Sequence, residues 1–335
     1  ISPLAEVSRI SFHKEGLKSS SFFYTIIMTN KLKGTICGVL SAIFYGTNPV
    51  GALVLYADGF NSSSVLFYRF SIATLLLGAL LLAQRKSFRI TRKEFCIISV
   101  LGLLFAVSAL SLYMSFHFMA AGIASTLLFV YPVMVAVLMA LFFREKVTPT
   151  TVVSILLSLV GVALLYRGDG QSTLSLVGVI LVLLSSLTYA FYIIVVNQSS
   201  LRMSSVKLTF YVLFVCTLAI VAWSFVSPGN HLMMLHTPWH WFMGFWMAIF
   251  PTVLSLVLMV LAVHDIGSTP TAIMGALEPV TAVFIGIFLF GEAFSLRLAT
   301  GILLILVAVL LIILGKHLRF RPMLFRLRKY WRWRY

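Results

Sequence analysis

The chain has 335 residues, of which 61% are hydrophobic and only 10% charged, and it carries a formal net charge of +16. A soluble domain holds roughly 25% charged residues, so this composition, with a mean hydropathy of +1.05, excludes an ordinary water-soluble fold. The basic excess suggests nucleic acid at first sight, a reading that the placement of the charges removes.

In chain order, residues 1–30 come first, an arm whose longest apolar run, FFYTII, is too short for the core of a signal peptide. Met28 directly precedes TNKLKG and the first long apolar run, so residues 1–27 read equally as a native arm or as sequence upstream of the start. Ten apolar runs follow, at about 34–56, 63–83, 95–117, 120–143, 150–166, 174–196, 206–227, 240–263, 268–290 and 297–315. A bilayer core takes roughly 20 apolar residues per helix. The expectation is an all-α membrane protein of ten transmembrane helices.

The loops between these runs alternate in charge. Lys and Arg crowd the N-terminal arm, residues 85–93, Arg144 and Lys146, Arg202 and Lys207, and the tail from Lys316 onward. The other side holds only Arg167 and Arg297, with Arg69 inside a span. The positive-inside rule then puts both termini in the cytoplasm. The charge is topology, and no nucleic-acid partner is expected. The tail, residues 317–335, mixes arginine with aromatic residues, which suits anionic lipid or a solvated flank. The three cysteines are isolated, with no disulfide framework and no metal spacing.

An internal repeat organises the spans. FVYPVMVAVLMALFFREK (129–146) aligns with ALEPVTAVFIGIFLFGEA (276–293), placing Pro132 on Pro279 and Glu145 on Glu292. CGVLSAIFYG (37–46) aligns with LVLLSSLTYA (181–190), FYRF (67–70) with FYVL (210–213), and ALSL (109–112) with VLSL (253–256), at a nearly constant offset. Each half, 31–170 and 171–316, therefore holds five spans. An odd number makes the second half enter the membrane from the opposite side, an inverted repeat of the kind found in secondary transporters.

Polar residues share helix faces. Ser41, Tyr45 and Asn48 form one stripe in the first span, and Ser185, Tyr189 and Tyr192 form its equivalent in the sixth. Ser108, Ser111 and Ser115 stripe the third span, with Thr252 and Ser255 repeating the first two in the eighth. The serines alone are also what close helix packing uses; the stripes with Tyr and Asn favour a water- or substrate-lined cavity. GTICG (34–38) has the GxxxG spacing of close helix contact, internal or between copies.

Pro132 and Pro279 free the carbonyls of Leu128 and Gly275. They read either as fixed kinks or as hinges for inward- and outward-open states. Glu278 lies in mid-span beside Pro279, with Tyr131 as its repeat equivalent. It is a candidate proton carrier or amine ligand, or else a neutral carboxyl bonded to the kink. Arg69 either snorkels to the outer surface or faces the cavity, where it would attract a carboxylate; its counterpart, Val212, is uncharged. Glu145 and Glu292 end spans, where negative charge suits the next helix's N-terminus, and Thr148–Pro149 reads as an N-cap and first residue. No catalytic constellation is visible, since His117 and His264 sit at span ends with no paired nucleophile.

On the "YPV…FFRE" and "EPV…LFGE" segments, Arg69 and the Gly34 and Gly178 helix starts, residues 32–316 resemble the EamA-type members of the drug/metabolite transporter superfamily. FFRE departs from the more usual small-Gly-Glu ending. The resemblance implies a ten-helix bundle in a bacterial inner membrane that exports small metabolites, and it carries over no particular substrate. The combined expectation is a non-enzymatic secondary transporter of small solutes such as amino acids or nucleobase-like compounds, without cofactor or metal. Its partners would be the substrate, membrane lipids and protons as candidate coupling ion; an uncoupled facilitator or exchanger is the alternative, and a scaffold or sensor a more distant one. Oligomeric state is left open.

Overall fold

A computed structural model describes residues 31–144, 148–166, 175–199, 203–227, 229–267, 271, 273–292 and 295–315. Among them there is helix and turn and no strand. Seven helices are long and apolar enough to cross a membrane: α1 (Lys31–Ala57), α2 (Ser62–Ala83), α3 (Arg92–Ser115), α4 (Ala121–Phe143), α6 (Leu176–Gln198, apolar through Val196), α7 (Ser205–Val226) and α8 (Pro238–Ile266). The described residues also hold three shorter apolar helices: α5 (Pro149–Tyr166), α9 (Leu277–Phe290) and α10 (Leu296–Gly315). The chain is a multi-pass membrane protein. Large apolar side chains stand outward where lipid would meet them, among them Leu75, Leu141 and Phe288, because lipid tails accept such groups as readily as a protein core does.

Local sequence explains the helix starts. Asn61 caps α2 by accepting from Ser64 N at 2.8 Å. Thr91 and Glu94 form a reciprocal capping box on α3. Thr148 accepts from Thr151 N at 3.3 Å ahead of Pro149, the N-cap arrangement its sequence suggests.

Proline interrupts three helices near mid-length and sits in the first turn of a fourth, in each case withholding an N–H and crowding the preceding turn. Helix α1 breaks at Thr47, just before Pro49. Helix α4 breaks at Phe129–Val130, before Pro132, into segments Ala121–Leu128 and Tyr131–Phe143. Residues 275–276 form a turn immediately before α9, whose third residue is Pro279. In α8, Pro251 sits inside a π-helical stretch, Ile249–Leu254. Three of the carbonyls so freed find partners. Ser186 Oγ donates to Leu128 O at 3.2 Å and to Leu127 O at 3.3 Å. Thr252 Oγ1 donates to Met247 O at 2.8 Å, the carbonyl Pro251 leaves unpaired. Gly275 O accepts from Glu278 N at 3.0 Å.

In the packing, α5 runs along α10, α2 along α7, and the first segment of α4 along α9. Helix α3 lies against α6 and α7, while the first segment of α8 lies against α1 and α2. Two reciprocal serine pairs lock the interior. Ser108 and Ser185 exchange hydroxyl-to-carbonyl bonds of 3.0 and 2.7 Å between α3 and α6. Ser41 and Ser255 do the same at 2.8 and 3.0 Å between α1 and α8. The GxxxG glycines of α1 face inward within the chain: a Cβ at Gly34 would meet Asp265 and Ile266, and one at Gly38 would meet Met274 and Ala262.

Candidate functional site: a mid-bundle cavity with one arginine and one glutamate

A cavity of about 450 Å³ lies inside the bundle. Broken and unbroken helices both build it. Tyr45 and Asn48 reach it from the α1 break, Arg69 from α2, Tyr131 from the second segment of α4, and Thr252 and Ser255 from α8. Tyr189, Tyr192, Glu278 and Pro279 come from α6 and α9. Toward one end the wall continues to Val196, Ser205 and Val263, in the terminal turns of α6, α7 and α8.

Arg69 is buried, 4% exposed. Its Nη1 donates to Tyr113 Oη at 2.7 Å, and Tyr113 Oη donates on to Asn48 Oδ1 at 3.1 Å. Its Nε donates to Thr252 Oγ1 at 2.9 Å, and that hydroxyl's own proton goes to Met247 O. One guanidinium thus ties α1, α2, α3 and α8 together. It does not snorkel outward. The ring faces of Phe70 and Tyr113 lie 5.1 and 5.8 Å from its central carbon, a geometry in which aromatic quadrupoles favour a cation.

Much of the remaining wall is aromatic. Tyr189 and Tyr192 stack at 5.7 Å with 6° between their planes, and Tyr131 meets Tyr189 edge-on at 4.8 Å. Phe105 packs against both Tyr189 and Tyr192. Glu278 lines the same cavity, and its carboxyl makes no hydrogen bond or ion pair with a described residue.

The remaining polar residues singled out in the sequence fall elsewhere. Ser41 and Ser185 do not line the cavity, since their hydroxyls serve the helix pairs. Ser108 borders a neighbouring void of about 30 Å³, and Ser111 is buried outside both spaces. Pro132 also lies off the wall, although Tyr131 beside it is on it.

Tyr113 is the residue that sequence reading missed. It lies between the serines of the α3 stripe, yet it joins Arg69 to Asn48. A buried tyrosine needing a partner for its hydroxyl is the signal it left. Glu292 is also placed differently from its sequence reading. It accepts from Ala121 N at 2.8 Å and Gly122 N at 3.4 Å, so it caps the start of α4 and not that of α10. Gly286 leaves the space, since a Cβ there would clash with the Glu292 carboxylate. Glu145 lies outside the described residues, as do residues 1–30 and the tail.

The profile of the EamA-like transporter family matches twice, at residues 32–167 and 176–314. The chain therefore belongs to the EamA-like transporter family. Among its relatives, an uncharacterized transporter of Archaeoglobus fulgidus is 27% identical over 192 residues, 57% of this chain and 66% of that protein's length. An uncharacterized transporter of Clostridium kluyveri is 21% identical over 298 residues, 82% of this chain and 91% of the other. A solved crystal structure with 16% identity superposes with a TM-score of 0.61 over 85% of this chain and 98% of its own, a likeness of fold.

Proposed function

We propose that this chain is a secondary transporter that exports a small polar or amphipathic metabolite, of amino-acid or nucleobase-like character, across a bacterial inner membrane by alternating access. The observation that carries the reading is the cavity: about 450 Å³, walled by both halves of the chain, with an arginine and a glutamate facing it where the membrane would lie. A site near midplane between two halves is what inverted-repeat transporters use. Intramembrane ionisable residues are costly and mark solute or ion paths.

Ten spans in two inverted five-helix halves, with both termini cytoplasmic, form part of the proposal. Two family matches, one per half, support it. So does the packing: advancing each helix number by five turns α3–α6 into α8–α1 and α4–α6 into α9–α1, while α2–α7, α4–α9 and α5–α10 map onto themselves. On this topology the cavity opens toward the cytoplasmic loops, and the Arg69 cluster closes its outer end. Pro132 and Pro279 are the hinges by which α4 and α9 bend as access alternates. Glu278 couples flux to protons.

A second reading keeps the transporter and removes the coupling. Glu278 lies in the first turn of α9, where a carboxylate also suits a helix N-terminus. Efflux of labelled amino acids from proteoliposomes, with and without an imposed proton gradient, separates the two. Coupling predicts gradient-driven efflux in wild type that drops at least about tenfold, about 1.4 kcal/mol at the transition state, in Glu278→Gln. Efflux indifferent to both changes would make the protein a facilitator with a structural Glu278.

A further inference from the structure

Arg69 stands out because its surroundings hold it in place without neutralising it. Five N–H donors radiate from a guanidinium in a planar fork, and two of these directions are taken, by Tyr113 and Thr252. Both acceptors are neutral hydroxyls, and each hydroxyl spends its own proton on Asn48 or Met247, so its lone pairs are turned to the arginine. Nη2 has no hydrogen-bond partner among the described residues, and Arg69 forms no ion pair among them. The side chain is buried yet lines the cavity. A buried charge without its counter-charge is strongly unfavourable. Such an arrangement is stable in a resting bundle only with water at the open face, and it is completed by an anion arriving there.

We propose that Arg69 is the anion-binding group of this cavity and that the solute it receives carries a carboxylate. This rests on the cavity being the solute site. The choice of a singly charged oxyanion follows from the charge present: among the described residues Arg69 is the only lysine or arginine on the wall, so there is one positive charge to match. A carboxylate matches the guanidinium fork in the plane, with two parallel bonds. The rest of the solute meets the stacked Tyr189–Tyr192 pair and Phe105, which suits a planar or apolar body. The cavity volume falls within the range for small-molecule sites, about 300–1,000 Å³. Because Arg69 is held from α1, α3 and α8, an arriving carboxylate joins the network that fastens these helices to α2.

The test compares two probes of nearly the same shape, indole-3-acetate and its neutral amide, indole-3-acetamide, binding to the purified full-length chain in detergent. Wild type is expected to bind the acid at least tenfold more tightly than the amide. Arg69→Gln is expected to bring that ratio close to one while still binding the amide, which shows that the variant is folded. If Arg69→Gln does not fold, Arg69→Lys carries the test: the charge stays but the fork is lost, and the ratio should fall severalfold. Equal binding of acid and amide to wild type, no binding of either at millimolar concentration, or an acid preference unchanged in the variants would overturn the proposal. Acid preference without flux in proteoliposomes would leave the anion site standing and remove the transport reading; flux without acid preference would do the reverse.

Discussion

The serine seams and the cavity wall are built from similar polar residues on the same helices, and they differ in whether bonding is complete. At the α3–α6 seam, Ser108 and Ser185 satisfy one another's hydroxyls and backbone carbonyls. The α1–α8 seam repeats this with Ser41 and Ser255. The hydroxyl protons of all four serines are spent within the seams, although Ser255 also borders the cavity. On the cavity wall the halves diverge: the first contributes Tyr45, Asn48, Arg69 and Tyr131, the second Tyr189, Tyr192, Thr252 and Glu278. There, donors and a carboxyl remain uncommitted. Bonds closed by symmetry hold a bundle together, while unmatched charge identifies where a solute can add something.

The sharpest way to break this comparison is to damage each region by one hydroxyl. Thr252→Val removes the acceptor of Arg69 Nε and the donor to Met247 O together. Hydrogen bonds to charged groups contribute about 1.5–3 kcal/mol, so solute uptake into proteoliposomes should fall by tenfold or more with the protein still folded. Unchanged uptake would mean that the Arg69 cluster is scaffolding like the seams.

Ser185→Ala is the matching change at a seam. It deletes the bond to Ser108 O, while Ser108 Oγ keeps the carbonyl of residue 185. Interhelical bonds of this kind in membranes average about 0.6 kcal/mol and reach about 1.7. Unfolding in mixed micelles should show a loss of that size, with flux within about twofold of wild type. A large flux defect at unchanged stability would move Ser185 from the seam to the site.

The smallest expected effect concerns Glu292, which links the two halves at α4. Burial raises its carboxyl above the usual glutamate value, opposed in part by the backbone N–H groups of Ala121 and Gly122. The folded chain then retains a proton that the unfolded chain has released. That contribution is fully present below the ordinary glutamate value of about 4.3 and is lost as pH rises through the raised one. Glu292→Gln stays neutral, so its melting temperature should gain on wild type as pH rises across this window. A gap that narrows with rising pH would mean that capping outweighs burial.

Hydropathy, loop charge and internal repetition were enough to establish a multi-pass helical protein, because a bilayer imposes apolar runs about 20 residues long. The prolines marked where helix α4 would break and where α9 would begin, since a missing N–H acts locally wherever the chain goes. The π-helical stretch around Pro251 was not legible, although its proline was, because the way the freed Met247 carbonyl is repaired depends on Thr252 and on Arg69 beyond it. Stripe position alone did not distinguish Ser185, in a seam, from Tyr189, on the wall. Both lie on an inward face, and only the neighbouring helix decides whether a hydroxyl finds a partner. Likewise Glu292 was recognisable as a carboxylate suited to a helix N-terminus, but the helix it caps begins about 170 residues earlier in the chain. Sequence determined the class of protein and the list of intramembrane polar groups, because these follow from local composition. Which of those groups are satisfied by one another, and which are left facing a cavity, was decided by tertiary packing, since a hydrogen bond is a property of two positions at once.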